Sequence, residues 1–400
     1  MGLGFAAWLV AARLFPPAEV GVASGLVSAM MLGVQLALLG IGSAAIALYP
    51  SHRQDPDRLV NVGATSVVAT AALGAVAFVL LAATLSAELR VVAAPAMAAA
   101  FLAMTVFGTL NTYYDHVSIA LHRGAQVLTR NVLFGIITIS VILLVAAPSA
   151  TDGTAAILAG WAAAGFAACA VAAWQLARTP PGLVARPVVD RGLTLRMVRV
   201  GLPNWILTLS ERAPALLIPV LVTELLSPAT NAFWYATWMM AWVVLIIPIS
   251  FGQTLFAQAA HDPDRIGSSS RRMVRASLAL GLMAAGGMVL LAEVGLGLLG
   301  PAYVEAGTTP LRILVLSVIP VTVIQAYFAV CRARGWLREA IATGLAGGTA
   351  AVVVTLAGGL AAGLVGMAIA WLAAQSATGV WSLLRLRVLT ERADATTPQH

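Results

Sequence analysis

Lysine is absent from the 400 residues, and only 10% of them are charged, against roughly 25% in an ordinary soluble domain. With 60% of the chain hydrophobic, no soluble core could hide the apolar surface, so a soluble globular fold is excluded. Cysteine is scarce as well. Cys169 and Cys331 lie in or beside apolar blocks far apart in the chain and form no CxxC pattern, so neither a metal site nor a disulfide framework is expected. There is no phosphate-binding loop of the GxxxxGK[ST] type, which excludes ATP held that way as an energy source and leaves no cofactor to expect. Met1 to Val10 has no basic leading segment, so no cleaved signal peptide is expected.

What the sequence does have is long apolar blocks separated by short breaks containing Arg, Pro and Gly. A span needs about 20 residues to cross roughly 30 Å of hydrocarbon. Twelve spans fit, six between Leu3 and Ala177 and six between Met197 and Leu386. The expected fold is all-α, a polytopic membrane protein of about 12 transmembrane helices. The net charge of +7 comes from 23 basic residues, all of them Arg. Nineteen fall after even-numbered spans or in the tail, while Arg13, Arg90 and Arg312 lie on the opposite side and Arg212 inside a span. That bias places both termini in the cytoplasm and the protein in the cell membrane. No basic patch is interleaved with stacking aromatics, so nucleic acid is not an expected partner.

The halves echo one another. RQDPDRL (Arg53 to Leu59) follows the second span and HDPDRI (His261 to Ile266) the eighth, with prolines 207 residues apart. Arg123-Gly124 returns as Arg334-Gly335, and Pro17 as Pro228, both at an offset of 211. Six spans per repeat give both halves the same orientation. The expected organisation is an N-terminal lobe at 1–177, a cytoplasmic linker at 178–196, a C-terminal lobe at 197–387 and a cytoplasmic tail at 388–400. The first span, Leu3 to Phe15, reaches only about 20 Å at 1.5 Å per residue, so it reads as truncated, with further turns before Met1 in the natural protein.

Within the spans, one segment stands out: GLPNWILTLSERAPALLIPVLVTELL (Gly201 to Leu226) carries Glu211 and Arg212 at its centre, flanked by Pro203, Pro214 and Pro219. A charge in hydrocarbon costs roughly 2.5 to 3.5 kcal/mol on insertion scales and more in simulations. The prolines predict a kinked or broken helix. Adjacent positions point about 100° apart, so each charge needs its own partner. Arg212 either lines a hydrated cavity and binds an anionic group of a substrate, or makes an interhelical ion pair. Glu211 and Asn204 are candidates for the same surface.

The fourth span ends in NTYYDHVSIALHRG. Here Asn111 and Asp115 share a face, and His116 titrates near neutral pH, so Asp115 and His116 are candidates for ion coupling; an interfacial aromatic belt is the alternative. The run WYATWMMAW (Trp234 to Trp242) either stacks sugars or marks the outer interface.

A resemblance rests on ARLFPPAEVGVASGLVSAMMLGVQLALLGIGSAAIALYP (Ala12 to Pro50), NAFWYATWMMAWVVLIIPISFGQTLFAQAAHDP (Asn231 to Pro263), LGPAYVEAGTTPLRIL (Leu299 to Leu314) and CRARG (Cys331 to Gly335). Over nearly the whole chain the sequence resembles the polysaccharide biosynthesis, Wzx-like oligosaccharide flippases of the multidrug, oligosaccharidyl-lipid and polysaccharide exporter superfamily. That resemblance implies two six-helix lobes around a central cavity and a flippase that moves undecaprenyl-pyrophosphate-linked oligosaccharide across the membrane by alternating access. It implies that Arg212 pairs with pyrophosphate and that Arg13 lies near the cavity's outer end. Membrane lipids, and glycosyltransferases or a polymerase of the same pathway, are the implied partners. The alternatives are a cation-coupled drug exporter of the same fold and a membrane glycan polymerase or ligase. An enzyme of that kind would present a large outward loop bearing Arg and His, and every outward loop here is short.

Overall fold

The computed structural model describes residues 2–146, 152–178, 180, 182–261 and 266–396. Among these there is no strand. The helices are α1 (Gly2–Leu14), α2 (Pro17–Leu38), α3 (Ile41–Leu48), α4 (Pro56–Leu85), α5 (Pro95–Ala120), α6 (Gly124–Ala146), α7 (Gly153–Arg178), α8 (Arg191–Leu225), α9 (Pro228–His261), α10 (Ile266–Gly297), α11 (Pro301–Leu314), α12 (Val318–Ala333) and α13 (Leu337–Thr396). Proline at the first position starts α2, α4, α5, α9 and α11, where its missing N–H costs no helical bond and its fixed φ suits the helix.

Ten of the described helices, with α11 and α12 counted as one span, are long and apolar enough to cross a membrane. α13 is two helices folded back at Ala362 and Gly363, whose φ of 61° suits glycine. Its arms pair antiparallel: Glu339 meets Arg385, Thr343 meets Trp381, and the Gly358 and Gly366 backbones touch. With the short α1, the sequence's twelve spans are all present. Large apolar side chains such as Leu290, Leu85 and Leu144 stand exposed along them, as a lipid-facing surface requires. This is a multi-pass membrane protein. Of the repeated HDPDRI, residues 262–265 lie outside the described residues.

By internal contacts the chain forms two compact units, Met1–Ala232 and Phe233–His400. In the first, α2 is buried continuously from Val20 to Met30 except at Val22, enclosed by α4, α5, α7 and α8. α8, which the sequence assigns to the 197–387 lobe, packs here on α2 and α3. In the second unit, Trp234, Trp238 and Trp242 step along α9, and Trp371 of α13 meets Trp238 edge-on at 4.8 Å between centroids. Trp234, Trp238 and Trp371 are buried, so they serve as core packing and are not available as an exposed sugar platform.

Candidate functional site

α8 begins with Asp190, whose Oδ1 accepts from the Leu193 amide at 3.0 Å as an N-cap. The segment leading into it is strapped along α4. Asn61 donates to the Val184 carbonyl and accepts from the Arg186 amide, and Thr65 accepts from the Val188 amide. Arg58 reaches Asp190 at 2.5 Å. The Leu193 amide first, then Arg58, hold the Asp190 carboxyl below the usual carboxylate range. At the other end of α8, Glu224 accepts from Ser86 Oγ and from the Ala87, Glu88 and Leu89 amides, gathering the turn between α4 and α5. Both ends of the helix are therefore fixed within the first unit.

The helix is pinned once against the turn between α2 and α3 and once against α2 itself. A Cβ on Gly201 would lie 1.9 Å from the Gly40 carbonyl oxygen, and one on Gly25 would lie 2.6 Å from Thr223 Oγ1. α8 runs unbroken from Arg191 to Leu225. Pro203, Pro214 and Pro219 lie inside it, and each removes an amide that would hold the helix straight. Of the expected kink or break, the break is corrected: α8 is continuous through all three prolines, with its ends held at Asp190 and Glu224.

Arg212 lies near the middle of α8. It is exposed, and its side chain makes no hydrogen bond or ion pair with any of the described residues. Glu211 is half-buried and engaged by a neighbour. One and two turns before Arg212 come Thr208 and Asn204, a row at four-residue steps along one side of the helix. Asn204 is exposed, and Thr208 donates its hydroxyl to the Asn204 carbonyl at 2.9 Å. Arg13 does not join this row. It is exposed and engaged at the last turn of α1, which packs chiefly on α6.

Asp115 and His116, neighbours in α5, take different hydrogen-bond partners. His116 Nδ1 is tied to the Thr112 carbonyl at 2.8 Å, and its ring lies against Gly42 of α3. Asp115 turns the other way, to Arg130 at 2.6 Å. Arg130 is fully buried and also donates to Gln175 and Ser118. Counted from sequence among the orientation-setting loop arginines, it belongs instead to α6. Its signal was Asp115, an acid near a span end with a basic residue one hairpin further on.

The second unit has a counterpart. Arg385 meets Glu339 at 2.6 Å and 3.1 Å, and Tyr327 donates to the same carboxylate. Asp115, Arg130 and Gln175 on α5, α6 and α7 thus correspond to Tyr327, Glu339 and Arg385 on α12 and the two arms of α13. The separations, between 209 and 212 residues, match the internal repeat.

This arrangement of spans is the fold of transporters of the superfamily that unites multidrug exporters and lipid flippases. A multidrug resistance MATE family transporter in an inward-facing conformation is 12% identical with a TM-score of 0.74, over 99% of this chain and 96% of that one. The lipid II flippase MurJ in an inward closed conformation is 12% identical with a TM-score of 0.70, over 96% of this chain and 86% of that one. A superfamily transporter from Pyrococcus furiosus is 13% identical with a TM-score of 0.65, over 97% and 92%. No protein-family model and no curated relative matches the sequence. At these identities the likeness establishes the fold.

Proposed function

We propose that this protein is a membrane flippase that carries lipid-linked oligosaccharide, held through its pyrophosphate, from the cytoplasmic to the outer leaflet by alternating access, for assembly of cell-surface polysaccharide. The observation that carries the reading is Arg212, an exposed guanidinium with no partner among the described residues, halfway along a spanning helix. Hydrocarbon would penalise it by roughly 2.5 to 3.5 kcal/mol or more, so its side chain faces water. A guanidinium in such a place suits a phosphate, to which it offers a planar fork of donors. The neighbour MurJ, described as a lipid II flippase, supports a lipid-linked substrate. Undecaprenyl-pyrophosphate-linked oligosaccharide is the proposed cargo. The cytoplasmic termini, the cell-membrane location and the lobes joined at 178–196 belong to the same reading.

The second reading, a cation-coupled drug exporter, draws on the likeness to MATE transporters. It needs a carboxylate free to exchange a cation. Asp115, the proposed coupling acid, already faces the resident guanidinium of Arg130, which repels a second cation. That favours the flippase.

The test is leaflet-resolved labelling of lipid-linked sugar in cells with and without the protein. Sugar should reach the outer leaflet with the wild type, and Arg212→Ala at equal membrane abundance should abolish this. Equal labelling with and without the protein overturns the reading.

A further inference from the structure

The row Asn204, Thr208 and Arg212 presents three different hydrogen-bonding faces in a fixed order. Arg212 offers donors and a positive charge. Thr208 has spent its only hydroxyl proton on the Asn204 carbonyl, so towards a ligand it can only accept. A phosphate oxygen carries no proton and would be repelled there, whereas a sugar hydroxyl would be bound. The Asn204 side chain, unengaged among the described residues, offers an acceptor and two donors, a match for hydroxyls or an acetamido group. The row covers about 12 Å at 1.5 Å per residue, with Asn204 nearer the end of α8 that begins at the strapped 182–190 segment.

From this order we infer that Thr208 and Asn204 are specificity residues for the glycosyl part of the cargo. The diphosphate rests on Arg212, and the first sugars lie against Thr208 and then Asn204, towards the α8 N-terminus. The inference rests on the flippase reading and sharpens it: the site selects a glycosylated diphosphate over a bare one. A hydrophobic cation fits neither the charge of Arg212 nor the accepting face of Thr208.

The experiment measures binding to the purified full chain in detergent of two probes, undecaprenyl diphosphate and undecaprenyl diphospho-N-acetylglucosamine. Thr208→Val and Asn204→Ala should each weaken the glycosylated probe about tenfold and leave the bare diphosphate within about twofold, while Thr208→Ser retains wild-type binding. Arg212→Gln should weaken both probes. Thermal unfolding and size-exclusion profiles matched to wild type establish that the variants are folded. Equal losses for both probes in Thr208→Val and Asn204→Ala, or no loss for either, overturn the assignment of these residues while leaving the flippase reading intact. Failure of the wild type to bind either probe overturns both.

Discussion

Arg130 and Asp115 meet at 2.6 Å inside the first unit, with Gln175 and Ser118 completing the guanidinium's contacts. Breaking one partner of a buried pair leaves an uncompensated charge, at about 3 to 5 kcal/mol. Arg130→Ala should therefore sharply lower folded yield and melting temperature in detergent. The double variant Arg130→Met with Asp115→Leu, which removes both charges, should recover much of the loss. A coupling role for Asp115 predicts the reverse pattern: Asp115→Asn would remain stable and its transport would lose pH dependence.

The equivalent tie in the second unit is more open, with Arg385 and Glu339 side chains 33% and 27% exposed. Solvent screening leaves such a pair contributing little to stability. Arg385→Ala should cost a small fraction of what Arg130→Ala costs, read by the same unfolding measurement. Equal losses would show that the two ties are energetically alike.

The close approach of α8 to the turn between α2 and α3 gives a steric prediction. A Cβ on Gly201 would meet the Gly40 carbonyl oxygen at 1.9 Å, and backbone cannot yield as a flexible side chain can. Gly201→Val should destabilise by about 1 to 3 kcal/mol or more. Gly286→Ala in α10, where a Cβ meets nothing within 4 Å, should be neutral or stabilising by up to about 1 kcal/mol. Thermal unfolding of the two variants distinguishes a packed crossing from an open one.

Asp190 governs the pH response of the strap along α4. Its carboxyl titrates below the ordinary value because the folded chain stabilises the charged form. The stabilisation is therefore fully present above about pH 3.9, the unperturbed value, and is lost as pH falls through the lower folded value. A spin label at Ala185→Cys should stay immobile from pH 8 to pH 5 and loosen only under stronger acid. In Asp190→Ala it should be looser throughout. Loosening near pH 6.5 would point to a histidine instead.

Much of this architecture was legible in the sequence because its signals are local. Apolar blocks give spans, prolines mark helix starts, and the Pro17 and Pro228 echo is matched by the twin charge ties. What escaped depends on side chains meeting across the fold. Arg130 looks like any loop arginine until α6 is seen to bury it against α5 and α7. The aromatic run from Trp234 to Trp242 looks like an interface belt or sugar platform until Trp371 covers it. The three prolines of α8 predict a break only if the helix ends are free, and here Asp190 and Glu224 hold them.

Position 212 offers the most direct measurement. With Cys169 and Cys331, both buried, replaced by alanine, Arg212→Cys in membranes can be treated with a charged, water-soluble thiol reagent. Such a reagent needs a thiolate in contact with water. Rapid modification is expected in the folded protein, slowed by added lipid-linked diphosphate. A thiol that reacts only after unfolding would place position 212 in a dry interior or against lipid, and would contradict the account.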